Sequence, residues 1–135
     1  MPDRTFTPEE ANAALAEVRP LVERMVAHRR THAAALEAQE ELEGRIRGNG
    51  GGIPPAQLAD AAAVVEREAR ALARAIDEIV QHGVEVKDID EGLVDFPALR
   101  GAETVLLCWR LGEDRIRYWH TVEQGFAGRQ PLPFD

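Results

Sequence analysis

A glycine-rich run at residues 48–52 limits the folds open to this chain more than any other feature. Four of its five residues are glycine and the fifth is asparagine, so the run has a high backbone entropy cost in a helix and tolerates left-handed turns. Segments with helical apolar spacing lie on both sides of it. The run therefore predicts a loop that joins two helices.

The segment before the loop has the pattern of one long helix. Thr7 is placed to be the N-cap, Pro8 to occupy the first helical position, and Glu10 to close a capping box. Pro20 removes a backbone N–H inside the segment, which predicts a kink or a short irregularity near residues 17–20. The seam positions advance by alternating steps of three and four, as in a two-helix coiled coil. They are Leu15, Val18, Val22, Met25, Arg29, His32, Leu36, Gln39, Glu43 and Ile46.

The segment after the loop carries a second apolar stripe and ends with Gly83 in the place of a C-cap. The stripe consists of Leu58, Ala62, Val65, Ala69, Leu72, Ile76 and Ile79. Two helices joined by a short loop must fold back on one another, because neither buries its stripe alone. We therefore predict an antiparallel helical hairpin over residues 7–82.

From Gly83 onward the apolar period changes toward two, which is typical of strands. The predicted strands are residues 84–89, 93–96, 104–111 and 116–118. The second should end at Pro97, residues 112–114 should connect the last two, and residues 125–135 should form an extended tail. The predicted fold class is α+β: a long antiparallel helical hairpin followed by a small antiparallel β-sheet. Hairpin and β-rich unit (residues 83–135) should form a single domain of residues 1–135.

Charge and hydropathy argue against two classes of partner. The net charge of −8 repels phosphate backbones and anionic lipid, so we expect neither a nucleic-acid nor a membrane partner. No segment approaches the roughly 20 apolar residues of a membrane-spanning helix, and the N-terminus has no apolar signal core. These features predict a cytoplasmic protein. Cys108, the single cysteine, lies in an apolar run and is interpreted as a buried structural thiol, with a catalytic nucleophile as the alternative.

One candidate metal site lies on the hairpin. His28 and His32 are one helical turn apart, and antiparallel pairing would set Glu68 across from His32, giving three ligands for a divalent ion such as Zn, Mn or Fe. In the alternative interpretation this is a solvated face with His32 paired to Glu68. Arg29 occupies an apolar seam position, so it either pairs with a carboxylate, marks a partner-binding place or extends its charged end into water.

An acidic group follows the second helix. It comprises Asp88, Asp90, Glu91 and Asp95. Such a group could bind a divalent cation or supply an acid and a base. Turn formation by aspartate is the alternative.

The C-terminal region concentrates residues suited to a ligand cleft, because aromatic rings, a histidine and arginine forks occur together there. The candidate ligand-binding residues are Asp95, Trp109, Arg110, Glu113, Trp119, His120 and Arg129. Alternatively, the two tryptophans form a bulky core between sheet and helices.

Several segments together resemble an uncharacterised bacterial protein family, a domain of unknown function designated DUF2203. The matching segments are residues 6–12, 92–98, 109–113, 119–120 and 125–129, and the resemblance covers essentially the whole chain. It implies no particular activity. It does imply that Asp95, His120 and Arg129 belong to the family's pattern.

Two functional hypotheses follow. The first is a binding or protein-interaction module whose hairpin forms a homodimer or binds a protein partner, and whose sheet presents a ligand cleft. It rests on the lack of a nucleophile–base or phosphate-loop signature. The second is a divalent-metal-dependent enzyme, such as a hydrolase, using His120 with Asp95 and Glu113, or the hairpin site of His28, His32 and Glu68.

Overall fold

The computed structural model of the chain describes residues 2–49 and 52–134. The described residues form two helices, five strands and one short 3-10 helix. The helices are α1 (Pro8–Asn49) and α2 (Pro55–Gln81). The strands are β1 (Glu85–Asp88), β2 (Leu93–Arg100), β3 (Glu103–Arg110), β4 (Tyr118–Thr121) and β5 (Gln130–Pro131), and the 3-10 helix is Phe126–Gly128. The predicted α+β fold class is confirmed. Residues 50 and 51 of the predicted loop lie outside the described residues.

Helix α1 begins with the predicted capping box. The backbone N–H of Glu10 donates to Oγ1 of Thr7 (3.1 Å), and the backbone N–H of Thr7 donates to Oε1 of Glu10 (2.9 Å). These bonds satisfy donors that a helix start leaves open. The helix then continues for 42 residues and remains α-helical on both sides of Pro20. The predicted irregularity near Pro20 therefore does not interrupt it.

The two helices contact one another, but only one end of the hairpin joins the hydrophobic core. The last buried residue of α1 is Val26, and the buried residues of α2 are Ala75 and Ile79. Beyond this level, no described side chain of residues 28–49 and 55–74 is buried. We call these residues the arm; near its base, Arg29 bonds to Asp90 beside β1 and Leu72 packs against the core. None of the helices in the described part of the chain has the length and apolar content that a bilayer crossing requires.

The sheet is an antiparallel meander with the strand order β1-β2-β3-β4-β5. Strand β2 passes through Pro97, so the predicted end at this residue is wrong. The carbonyl of Pro97 accepts a hydrogen bond from the backbone N–H of Phe6 (2.7 Å). Since the N and O atoms of one strand residue point to the same side, the missing N–H faces away from β3. On that side β1 pairs with β2 only as far as Asp95.

Strand β4 begins later than the predicted strand at residues 116–118. The side chain of Asn12 on α1 accepts from the backbone N–H of Ile116 (2.8 Å) and donates to its carbonyl (3.3 Å). These bonds commit the backbone of Ile116 to the helix, so pairing with β3 starts at Tyr118. The predicted extended tail likewise contains a 3-10 helix and the short strand β5.

The two faces of the sheet differ because side chains alternate along each strand. The inner face packs on the hairpin and contributes Val94, Phe96, Ala98, Val105, Leu107, Trp109 and Trp119 to the core. The intervening residues form the outer face: Asp95, Pro97, Leu106, Cys108, Arg110, Tyr118 and His120. Polar and ionisable groups are therefore brought together on the side of the sheet away from the helices.

Candidate metal centre

Three neighbouring strands bring Asp95, Cys108 and His120 together on the outer face. Asp95 on β2 is the direct partner of Cys108 on β3, and His120 on β4 lies opposite Leu106, two residues along β3. One ligand atom from each of the three side chains lies within 4.8 Å of the other two. Their exposed fractions are 1% for Asp95, 0% for Cys108 and 2% for His120. We call these three residues the centre.

The hydrogen bonds of His120 show that one of its two ring nitrogens, Nδ1, carries a proton. Its Nδ1 atom lies 2.7 Å from the backbone carbonyl oxygen of Thr121. A carbonyl oxygen only accepts, so Nδ1 carries the hydrogen and donates it. The other nitrogen, Nε2, lies 3.1 Å from Oδ2 of Asp95. Nε2 therefore either carries a second proton or directs a lone pair at the carboxyl group.

Asp95 is a buried acid with incomplete hydrogen bonding. Its Oδ1 atom has no hydrogen-bond partner among the described residues. Burial raises the pKa of Asp95, and His120, Lys87 and a weak hydrogen bond from the Cys108 thiol only partly oppose this effect. A buried carboxylate with an unsatisfied oxygen is costly. The centre therefore favours a species that neutralises Asp95, either a proton or a cation.

Cys108 is a thiol in the absence of an ion. Burial is the main reason that its pKa rises to about 12, and the nearby Asp95 carboxylate adds to the effect. The thiolate is the form that binds metals. A bound cation would therefore displace the thiol proton, as metal binding to cysteine generally does.

A segment of chain lies over one side of the outer face. We call residues 121–129 the cover. The guanidinium of Arg129 lies 4.0 Å from the ring centroid of Tyr118 and 4.5 Å from that of Phe126. Its NH2 donates to both carboxylate oxygens of Glu113, at 3.1 and 2.9 Å. Oε1 of Glu113 also accepts from the backbone N–H of Arg110 (2.7 Å). These contacts tie the cover to the strands below it.

The candidate cleft residues divide between the two faces of the sheet. Asp95, Arg110 and His120 lie on the outer face, where Glu113 and Arg129 also meet. Trp109 and Trp119 are in the core beneath the sheet, as the alternative interpretation held. The indole N–H of Trp109 donates to the carbonyl of Glu113 (3.1 Å), and Trp119 packs edge-to-face on Phe134 with 5.6 Å between ring centroids.

A groove of about 1030 Å³ opens elsewhere on the molecule. It is lined by the first turns of α1, the β3–β4 connection and residues 131–134, together with Tyr118. Of the outer-face residues, only Tyr118 borders it. The centre is therefore separate from this groove.

The hairpin candidates are arranged differently from the centre. Nδ1 of His28 lies 2.6 Å from Oε2 of Glu68, so Glu68 contacts His28 where the sequence suggested His32. His28 and His32 are one helical turn apart on α1, so the pairing differs from the expected one by a single turn. Among the described residues, these three side chains do not form a convergent group of ligand atoms.

Most of the acidic group serves the turn between β1 and β2. Oδ1 of Asp88 accepts from the backbone N–H of Glu91 (3.0 Å), and Oδ1 of Asp90 accepts from Nε of Arg29 (3.0 Å). Arg29 is thus paired with a carboxylate, one of the alternatives for its seam position. Asp95 alone of this group is buried in the sheet.

The sequence names Asp95 and His120 as ligand-binding candidates, whereas Cys108 is interpreted as a structural thiol, with a catalytic nucleophile as the alternative. Its thiol is buried, as that interpretation requires. Side chains alternate along β3, so Cys108 must lie on the face opposite Trp109. This alternation indicates a place beside Asp95 only when the register between β2 and β3 is known.

The comparisons with known proteins identify a family. A family model described as an uncharacterised conserved protein, DUF2203, matches residues 4–132. No curated protein and no solved structure matches the chain. The matched range includes both helices, the sheet and all three residues of the centre, and the chain therefore belongs to the DUF2203 family.

Proposed function

We propose that this chain is a metal-binding protein whose sheet binds one transition-metal ion, preferentially Zn²⁺, through Asp95, Cys108 and His120. The contact of His120 Nε2 with Asp95 Oδ2 carries the proposal. Because Nδ1 donates to Thr121, Nε2 is free to act as a ligand. A histidine that binds a metal commonly donates its other ring N–H to a backbone carbonyl in this way.

The spacing of the ligand atoms is compatible with tetrahedral zinc. Two ligands that each lie about 2.0 Å from Zn²⁺ are about 3.3 Å from one another in a tetrahedron. The 3.1 Å separation of Asp95 Oδ2 and His120 Nε2 is close to this value. A thiolate at about 2.3 Å completes three protein ligands, and the Cys108 sulfur is within 4.8 Å of one ligand atom of Asp95 and one of His120.

The ligand types favour some ions over others. A thiolate with an imidazole and a carboxylate suits Zn²⁺ or Fe²⁺, whereas Mg²⁺, Ca²⁺ and Mn²⁺ prefer sites made of oxygen ligands. A divalent ion would also neutralise Asp95 and give its unsatisfied Oδ1 a charged neighbour. Both effects support a zinc-type ion.

Burial supports ion retention more than turnover of a substrate. Zinc that activates water keeps an open coordination position, and its substrate needs a path to the ion. Here the three ligands are at most 2% exposed. Glu113, the third member of the hydrolase hypothesis, has its carboxylate bound to Arg129. An enzyme using this centre would first have to expose it to a substrate.

Elemental analysis of untagged protein tests the proposal. The protein is saturated with ZnCl₂, freed of unbound ion and assayed for zinc, and the same is done for His120→Gln and His28→Gln. We expect one zinc ion per chain in the wild type and in His28→Gln, and none in His120→Gln. Replacement by Co²⁺ should give a near-ultraviolet thiolate charge-transfer band. Wild-type protein without zinc, or zinc lost only from His28→Gln, would contradict the proposal.

Association through the arm is a second candidate function. The arm has no buried side chain among its described residues, and Leu36 is 36% exposed. A hairpin of two helices leaves one side of each helix available to a partner. We propose a second copy of the chain as that partner, in a two-fold dimer.

Light scattering over a range of protein concentrations tests this second candidate. We expect a dimer that Leu36→Glu converts to a monomer. The matched control is Leu99→Glu, which changes a 49% exposed leucine on β2, outside the arm. A wild-type chain that is monomeric at every concentration would exclude self-association.

A further inference from the structure

We propose that the ion pair of Glu113 and Arg129 is the latch of the cover, and that metal ions and other thiophilic species reach Cys108 when this pair opens. The inference rests on the proposed function in that it names how access to the same centre is controlled. Its test uses metal-free protein and does not depend on zinc binding.

The position of Arg129 makes it suitable for this role. Its guanidinium lies between the rings of Tyr118 and Phe126, which belong to the outer face and to the cover, respectively. Phe126 in turn lies near the guanidinium of Arg110 on β3, with 5.7 Å to the ring centroid. A cation between two aromatic faces gains from both rings. Arg129 thus links the cover to two strands through stacking and to Glu113 through hydrogen bonds.

The latch is weaker than the structure that surrounds it. The side chains of Arg129 and Glu113 are 17% and 25% exposed, so water competes for both charges. The Nε atom of Arg129 is buried without a hydrogen-bond partner among the described residues. Loss of one partly exposed ion pair is far less costly than global unfolding, so the cover can open while the sheet remains folded.

The ends of the cover are held independently of the latch. At its start, Thr121 is the last residue of β4 and pairs with Val105 on β3. At its end, Gln130 on β5 pairs with Trp119 on β4. Opening therefore involves the residues between these two anchors. The carbonyl of Thr121 also orients His120, so one residue of the cover is hydrogen-bonded to one residue of the centre.

Thiol labelling measures the opening directly, because Cys108 is the only cysteine. Native, metal-free protein is mixed with Ellman's reagent and the labelling rate is recorded for wild type, Arg129→Gln and Glu113→Gln. We expect slow labelling of the wild type and labelling about tenfold faster in both variants, through loss of the ion pair and of ring stacking.

Arg117→Gln is the matched control. It removes an Arg–Asp ion pair of the same connection, in which Nε and NH2 of Arg117 donate to Asp114 at 3.1 and 2.8 Å, without touching the cover. Its labelling rate should equal that of the wild type. Equal acceleration in Arg117→Gln would overturn the proposal, because the connection as a whole and not the latch would then control access.

Urea unfolding of each variant separates cover opening from loss of the fold. A labelling rate that increases by a larger factor than the unfolding equilibrium constant supports a latch. The proposal would be overturned if the two factors were equal, if both variants labelled at the wild-type rate, or if neither variant folded. Zinc is not needed for the measurement. A protein that binds no zinc but labels faster in both variants would refute the proposed function and leave the latch in place.

Discussion

The side chain of His120 holds its Nε2 atom 3.1 Å from Oδ2 of Asp95 on a buried face of the sheet. Because Nδ1 is committed to the carbonyl of Thr121, Nε2 and the carboxylate must be bridged by a positive species. That species is a proton or a metal ion. Substitutions that change the charge of the pair therefore distinguish the metal-free from the metal-bound centre.

Asp95→Asn should preserve the stability of the metal-free protein and abolish its stabilisation by zinc. The amide removes a buried negative charge and can donate a hydrogen bond to Nε2 of His120, so the free energy of unfolding at neutral pH should be equal to or above that of the wild type. The neutral amide is a poor zinc ligand. Urea unfolding with and without ZnCl₂ measures both effects.

The same variant should change how metal-free stability depends on pH. Burial raises the pKa of Asp95 in the folded chain, so the folded state binds this proton more tightly than the unfolded state does. The resulting stabilisation is complete below the unfolded carboxyl pKa of about 4 and is lost as the pH rises through the folded pKa. Asp95→Asn should lack this decline, and an unchanged pH profile would contradict the burial argument.

Cys108→Ser should separate metal binding from folding. Serine retains a small buried side chain but is a weak ligand for zinc, so zinc affinity should fall by more than about 100-fold, beyond the loss typical of a residue that only orients a ligand. The Co²⁺ thiolate band should disappear, because the sulfur is its source. Titration with Co²⁺ followed by absorbance measures both outcomes. A variant that keeps wild-type affinity would remove Cys108 from the centre.

Local sequence signals predicted the helices well. The capping box of Thr7 and Glu10 involves residues three apart, so it can be read without knowledge of the fold. No local sequence pattern predicts that β2 continues through Pro97. Strand β2 continues because it pairs with β3 on both sides of Pro97, and the carbonyl of Pro97 accepts from Phe6, which lies about 90 positions earlier in the chain.

The candidate site was predicted in part for the same reason. Asp95 stands out as a member of an acidic group, and His120 because a histidine lies there among aromatic and arginine residues. Cys108 does not, since a thiol in an apolar run is ordinary. Cys108 becomes a candidate metal ligand only because the strand register places it beside Asp95. Register is fixed by packing between distant segments, and sequence alternation alone leaves it open.

Gly92→Ala should be strongly destabilising. Gly92 has φ +66°, and an added Cβ would lie 2.8 Å from Cβ of Leu111 and 3.1 Å from methyl groups of Val22 and Val26. Backbone strain and overpacking together should lower the free energy of unfolding by about 2–4 kcal/mol. Urea denaturation measures the difference.

Gly101→Ala is the control for backbone strain alone. Gly101 has φ +63°, but an added Cβ there meets nothing within 4 Å. Its cost should stay near the roughly 1 kcal/mol expected of an alanine in a left-handed conformation. Equal losses for the two variants would mean that the contact of Gly92 with α1 does not determine how closely the helix approaches the sheet.

Ile79→Ala and Val65→Ala should reveal where helix α2 contributes to the core. Ile79 is fully buried at the sheet end of α2, whereas Val65 is half-buried within the arm. Truncation of a buried isoleucine typically costs about 2–5 kcal/mol, and truncation of Val65 should cost less than about 1.5 kcal/mol because less surface is lost from the interior. Urea unfolding at several protein concentrations measures both.

If two copies associate through the arm, the cost of Val65→Ala should increase with protein concentration, because dimer formation then adds to the stability that this side chain supports. A cost that is small and independent of concentration would show that Val65 does not support association.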